Sequence, residues 1–140
     1  MGLTQDGWNA IASLIASDGN WNAFDNAHAL LGVGNDTSTA FVNTQHKLVG
    51  ASTLLKGMDT SYPTTSTSSN TITFEATFAA GEANFTWGEN GVFNGGSGNL
   101  TNASYTGAAP LCMLTRASET LLTKTSTEEC VLTKTLTWQS

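Results

Sequence analysis

Two histidines, His28 and His46, are the only side chains whose ordinary pKa lies near neutrality, so nucleophilic or general-base chemistry would have to pass through them. His28 falls within an apolar stretch that reads as a strand, and His46 in a polar turn. No G-x-S-x-G elbow, H-E-x-x-H helix or P-loop accompanies either one. Two-carboxylate catalysis needs a pair of acids that converge. Of the eleven Asp and Glu, only Glu128 and Glu129 adjoin, and neighbours along a strand point to opposite faces. Asp18, Asp25 and Asp36 offer oxygen ligands in loops, but no D-x-[DN]-x-[DN]-G calcium loop is present, and acids at turns serve the backbone. Cys112 and Cys130 lack zinc spacing and read as two small apolar side chains rather than a disulfide. The four N-x-[ST] triplets at Asn35, Asn84, Asn99 and Asn102 are what an Asn- and Thr-rich chain produces by chance. The chemistry therefore points away from an enzyme, with no cofactor and no metal expected.

The elements that carry these residues fit one domain over 140 residues, with a helix and arm in 1–20 and a sandwich in 21–140. Five cations against eleven carboxylates give a net charge of -6, which counts against a nucleic-acid partner. No run approaches the roughly 18 apolar residues of a membrane span. MGLTQDGWNAIASLIAS lacks the basic start and long apolar middle of a secretory signal, so a cytosolic origin is expected.

Leu3, Trp8, Ile11, Leu14 and Ile15 are spaced for one face of a short helix over Leu3–Ala16, capped by Thr4 or Asp6 and stopped by Asp18-Gly19-Asn20. Ala27–Val33 reads as a buried strand entering a turn, and Thr44–Leu48 as one helical turn. Thr71–Phe78 alternates cleanly, with Ile72, Phe74, Ala76 and Phe78 on one side. Phe85, Trp87, Glu89 and Phe93 share one parity, as do Cys130, Leu132, Lys134, Leu136 and Trp138. Pro63–Asn70 and Asn94–Gly107 read as loops that order only on assembly. A hairpin is expected to join Leu111–Ser118 to Glu128–Trp138 through Thr123–Ser126. One helix and about six strands predict a mainly β fold, an antiparallel β-sandwich or flattened barrel with one short N-terminal helix.

What remains is surface. Neutral polar residues and four tryptophans suit contact with other proteins more than turnover. Trp87 lies in an apolar row and reads as core. Trp21, beside Phe24, reads as an anchor, and Trp8 and Lys134 complete the candidate contact residues. Glu89 and Lys134 interrupt apolar rows, so each must find a hydrogen-bonded partner or mark a place where the strand meets solvent or another subunit.

The succession NAHALLGVGNDTSTAF, TQHKLVGAS, KGMDTSYP, NTITFEATF, EANFTWGENGVFN, MLTR, LLTKTS and a Leu-Thr-x-Thr-Leu-Thr tail resembles a family of small β-rich virion structural proteins of tailed bacteriophages. It is also loosely similar to the N-terminal modules of phage tail-collar fibres. The resemblance spans about 26–138. It implies a non-enzymatic virion component, assembled in bacterial cytoplasm and present in many copies. Cys130 and Lys134 depart from the aromatic and aliphatic residues that relatives carry in the last strand. The leading expectation is a capsid decoration (cement) protein that binds the major capsid protein on the head exterior and self-associates as a trimer. The alternatives are a tail or neck adaptor or collar-fibre module, and a carbohydrate-binding β-sandwich that stacks sugars on Trp21.

Overall fold

The computed structural model describes residues 2–95 and 99–138. The fold is mainly β, with eight strands in two antiparallel sheets and one short helix among the described residues. The strands are β1 (Gly2–Leu3), β2 (Ala29–Gly34), β3 (Thr53–Gly57), β4 (Thr64–Ser66), β5 (Thr71–Phe78), β6 (Thr86–Asn94), β7 (Met113–Thr123) and β8 (Cys130–Thr137). One sheet runs β1-β7-β6-β2-β3 and the other β4-β5-β8.

Alternation explains the core. From β2, Ala29, Leu31 and Val33 turn inward between the sheets, where they meet Phe74, Ala76 and Phe78 of β5, Trp87 and Val92 of β6, and Leu132 and Leu136 of β8. Trp87 packs edge-on against Phe78, and its indole N–H donates to Ala83 O at 3.0 Å. Leu30 and Phe93 turn the other way and form a second cluster with Leu48, Leu55, Tyr105 and Met113. Both faces of the larger sheet are thus covered, which is why β2 is an uninterrupted small and apolar run. Gly32 lets the layers approach, since a Cβ there would stand 2.3 Å from Leu55 and 2.7 Å from Phe93.

The helix α1 (Gln5–Ala16) begins at Thr4, whose hydroxyl accepts from Gly7 N at 2.9 Å, and ends at Ser17 in the left-handed region. Its buried face differs from the expected one. Asp6, Gly7, Ala10 and Ser13 face the protein, with Ile11 packed beside them, whereas Trp8, Leu14 and Ile15 are exposed. Close approach selects the small residues: a Cβ on Gly7 would lie 2.5 Å from Leu114 O.

Other expectations are corrected. The strand holding Leu30 starts at Ala29, so His28 precedes it, in a turn with Asp25. Thr44–Leu48 contains no helical turn. β3 was not anticipated. Thr64–Ser66, expected as loop, pairs with Thr71–Thr73. The glycine-rich segment is also no simple loop: Leu100 bridges to Leu55, Asn102 binds Leu48 through both N and O, and Tyr105 is buried against Phe93. Residues 96–98 of that segment lie outside the described residues. In β6, a register shift between Trp87 and Glu89 breaks the expected parity and sends Phe93 to the face opposite Trp87.

The largest difference is at the C-terminal pair. β7 does not form a hairpin with β8; it pairs with β6, and β8 pairs with β5 in the other sheet, Cys130 opposite Phe78. Residues 124–129 therefore cross from sheet to sheet. Lys124 is buried at the crossing, with its ammonium donating to Ala80 O at 3.2 Å and Asn84 Oδ1 at 2.9 Å. Cys112 and Cys130 are both free thiols.

Candidate contact surface

Lys134 and Glu89 were the two charges in apolar rows, and they meet different fates. Glu89 is fully buried on the outer face of the larger sheet. It accepts from Arg116 Nε at 2.7 Å, from Val49 N at 3.0 Å and from Gly50 N at 2.6 Å. Arg116, also buried, donates further to Thr39 O at 3.1 Å and Asp36 Oδ2 at 3.2 Å. The pair pins residues 36–50 across the sheet like a strap. Asp36 is held below the ordinary carboxylate range by the Thr39 backbone N–H. Sequence flagged Glu89 but missed Arg116, because 27 residues separate partners that the β6–β7 register brings together.

Lys134 points between the sheets. Its ammonium lies 3.2 Å from Glu119, which also accepts from the buried Asn90 at 3.1 Å, so a polar chain links β8, β7 and β6. The Asn90 amide, followed by the Lys134 ammonium, lowers the Glu119 pKa.

Beside this chain the sandwich has an open side. Between β1, β8 and α1 lies a cleft of about 400 Å³ lined by Gly2, Leu3, Trp8, Thr115, Leu136, Thr137 and Trp138. Trp8 is 54% exposed and Trp138 45%, so two indoles flank its mouth. Ile15 at 82% and Val131 at 56% add to the exposed apolar side chains of α1 and β8. Exposed tryptophans at a concave, mostly apolar surface are suited to anchoring another protein. Of the sequence candidates, Trp8 lines this cleft, whereas Lys134 is turned to Glu119 and is not a contact residue of it. Trp21 is half-buried, and Phe24 packs against the inter-sheet core. Trp138, read with the core row, was missed as an anchor. It lies just past β8, where the strand runs out of cover.

Both histidines are tied to carboxylates of the fold. His46 Nδ1 contacts the buried Asp6 carboxylate, and His28 Nδ1 lies 2.7 Å from Asp25. Burial pushes the Cys112 thiol up to about 12, so it stays protonated at neutral pH. A wider depression of about 770 Å³ is lined by Lys47, Glu82, Asn84, Asn99 and Asn102, among others. There Glu82 accepts both contacts from Lys56 at 2.8 Å and one from Asn99 at 2.7 Å, which hold its pKa down to about 2. Its one aromatic lining residue, Phe85, is partly buried and packs against the inter-sheet core. No group of three or more potential metal ligands occurs among the described residues. Compared with protein-family models, curated proteins and solved structures, the chain matches none.

Proposed function

We propose that this protein is a non-enzymatic structural component of a tailed-bacteriophage particle, a decoration protein that binds the outside of the head in many copies. The observation that carries this reading is the open side of the sandwich, where Trp8 and Trp138 flank an apolar cleft. The family resemblance along 26–138 and the acidic balance of the chain support it. A cement protein works by spreading contact area over neighbouring coat subunits. About 1,000–2,000 Å² per copy, repeated over a shell, resists internal pressure without any single contact being tight. The aromatic anchors would carry most of the binding, and the neutral Ser/Thr/Asn surface around them would supply complementarity.

Co-sedimentation tests it. Purified protein is expected to pellet with isolated heads and not with tails, and Trp8→Ala with Trp138→Ala is expected to reduce the bound fraction. Pelleting with tails alone would replace this reading by the tail or neck adaptor that the collar-like EANFTWGENGVFN segment suggests. Binding to neither would remove both.

A further inference from the structure

Among the described residues, the two sheets end in four edges, and three of them are managed. β3 is bridged by Leu100, whose N donates to Leu55 O at 2.9 Å while Leu55 N donates to Leu100 O at 3.2 Å. β4 is three residues long. β1 is two residues long, and the stretch of β7 beyond it carries Glu119 and the register shift against β6, both of which discourage pairing. β8 is different. It runs for eight residues, pairs with β5 throughout, and makes no other backbone hydrogen bond over 130–137. Alternate residues of β8 thus aim N–H and C=O outward, in a geometry that another extended strand matches along its length.

We infer that β8 is the self-association edge: two copies pair β8 antiparallel to β8 about a two-fold axis, joining their smaller sheets into one. This rests on the proposed function and names its self-contact, with a dimer in place of the trimer expected from the sequence, and it holds whichever particle protein the chain binds. Charge argues for a second copy. With a net charge of -6, two copies repel over most of their surface, yet the solvent-facing row Val131, Thr133, Thr135 and Thr137 is uncharged, and Lys134 is occupied by Glu119. Thr–Thr contacts already join strands in this fold, Thr73 to Thr135 at 3.0 Å and Thr86 to Thr123 at 2.8 Å. Head-to-tail joining of the same sheet would offer β8 only the three residues of β4, so the symmetric arrangement satisfies more backbone groups. Register follows from charge as well. An axis at Lys134 would set two ammonium groups face to face. An axis at Thr135 sets Thr133 opposite the second copy's Thr137, and Leu132 opposite its Trp138.

Sedimentation equilibrium over a concentration series is expected to show a monomer–dimer equilibrium. In a Cys130→Ser background, Thr135→Cys is expected to form a disulfide-linked dimer on mild oxidation, whereas Thr133→Cys is not. Thr135→Lys, folded by circular dichroism, should weaken the dimer by about tenfold or more, since it sets two like charges on the axis. Thr65→Lys on the exposed β4 edge adds the same charge and should leave the dimer intact. A monomer at every concentration, a trimer, or equal cross-linking of both cysteine variants would overturn the inference. Head binding by a protein that stays monomeric would sink this inference while leaving the proposed function standing. A β8-linked dimer that binds no particle would do the reverse.

Discussion

Arg116 and Thr115 are neighbours on β7, yet they serve opposite sides of the molecule. Arg116 faces the strap of residues 36–50, where it and Glu89 are sealed at 0% exposure. Thr115 lines the cleft between Trp8 and Trp138, where the apolar surface stays open. At these two places charge is closed in and apolar surface is left open, the reverse of the usual arrangement. Four of the five cations are used inside the fold: Arg116 and Lys124 are buried, and Lys56 and Lys134 are paired with Glu82 and Glu119, whereas Lys47 is exposed.

Breaking the closed side should cost most. Arg116→Ala would strand Glu89 in the interior without a counter-charge and is expected to destabilise the fold by about 3–5 kcal/mol in urea unfolding. If it costs no more than an exposed substitution, the strap is not held by this pair. Gly32→Ala tests the packing beneath the strap. With Leu55 and Phe93 closer than a Cβ allows, a loss of about 1–3 kcal/mol is expected. Thr4→Ala removes the helix cap that positions Trp8 and should cost about 1 kcal/mol, read as a lower thermal midpoint.

Acid sharpens the contrast at Glu82, in the depression it shares with Lys47 and Gly50 of the strap. Its carboxyl binds a proton more weakly folded than unfolded, so its contribution is complete above about pH 4.5 and fades as the pH falls toward 2. Lys56→Ala should flatten that part of a stability–pH curve. The smallest stability effect is expected on the open side: Trp8→Ala and Trp138→Ala should each stay within about 0.5–1 kcal/mol of the parent in urea. A larger loss would mean that the indoles serve the fold rather than a partner.

How much of this was legible depended on distance along the chain. β5 was readable to the residue, because Ile72, Phe74, Ala76 and Phe78 alternate without interruption. The sequence offered Thr4 or Asp6 as the cap of α1, and the structure selects Thr4. The crossing after β7 was not, because Thr123–Ser126 has the composition of a turn and only the burial of Lys124 shows that the chain passes between sheets. Parity failed in β6, where an irregularity at Gly88 carries no sequence signal beyond a glycine. On α1 the apolar count misled, because approach to Leu114 required Gly7 and Ala10, which left the large residues outside. The contact side was half legible: Trp8 was named, but Trp138 belonged by spacing to a core row.

The pairing of β8 with β5 also sets an order of events as the polypeptide leaves the ribosome. Until residues 130–137 emerge, the smaller sheet is only the β4–β5 hairpin, and two strands alone are marginal in water. Phe78 must wait more than fifty residues for its backbone partner Cys130, so the smaller sheet closes late, and amide protons of β5 should gain protection only after those of β6 and β7.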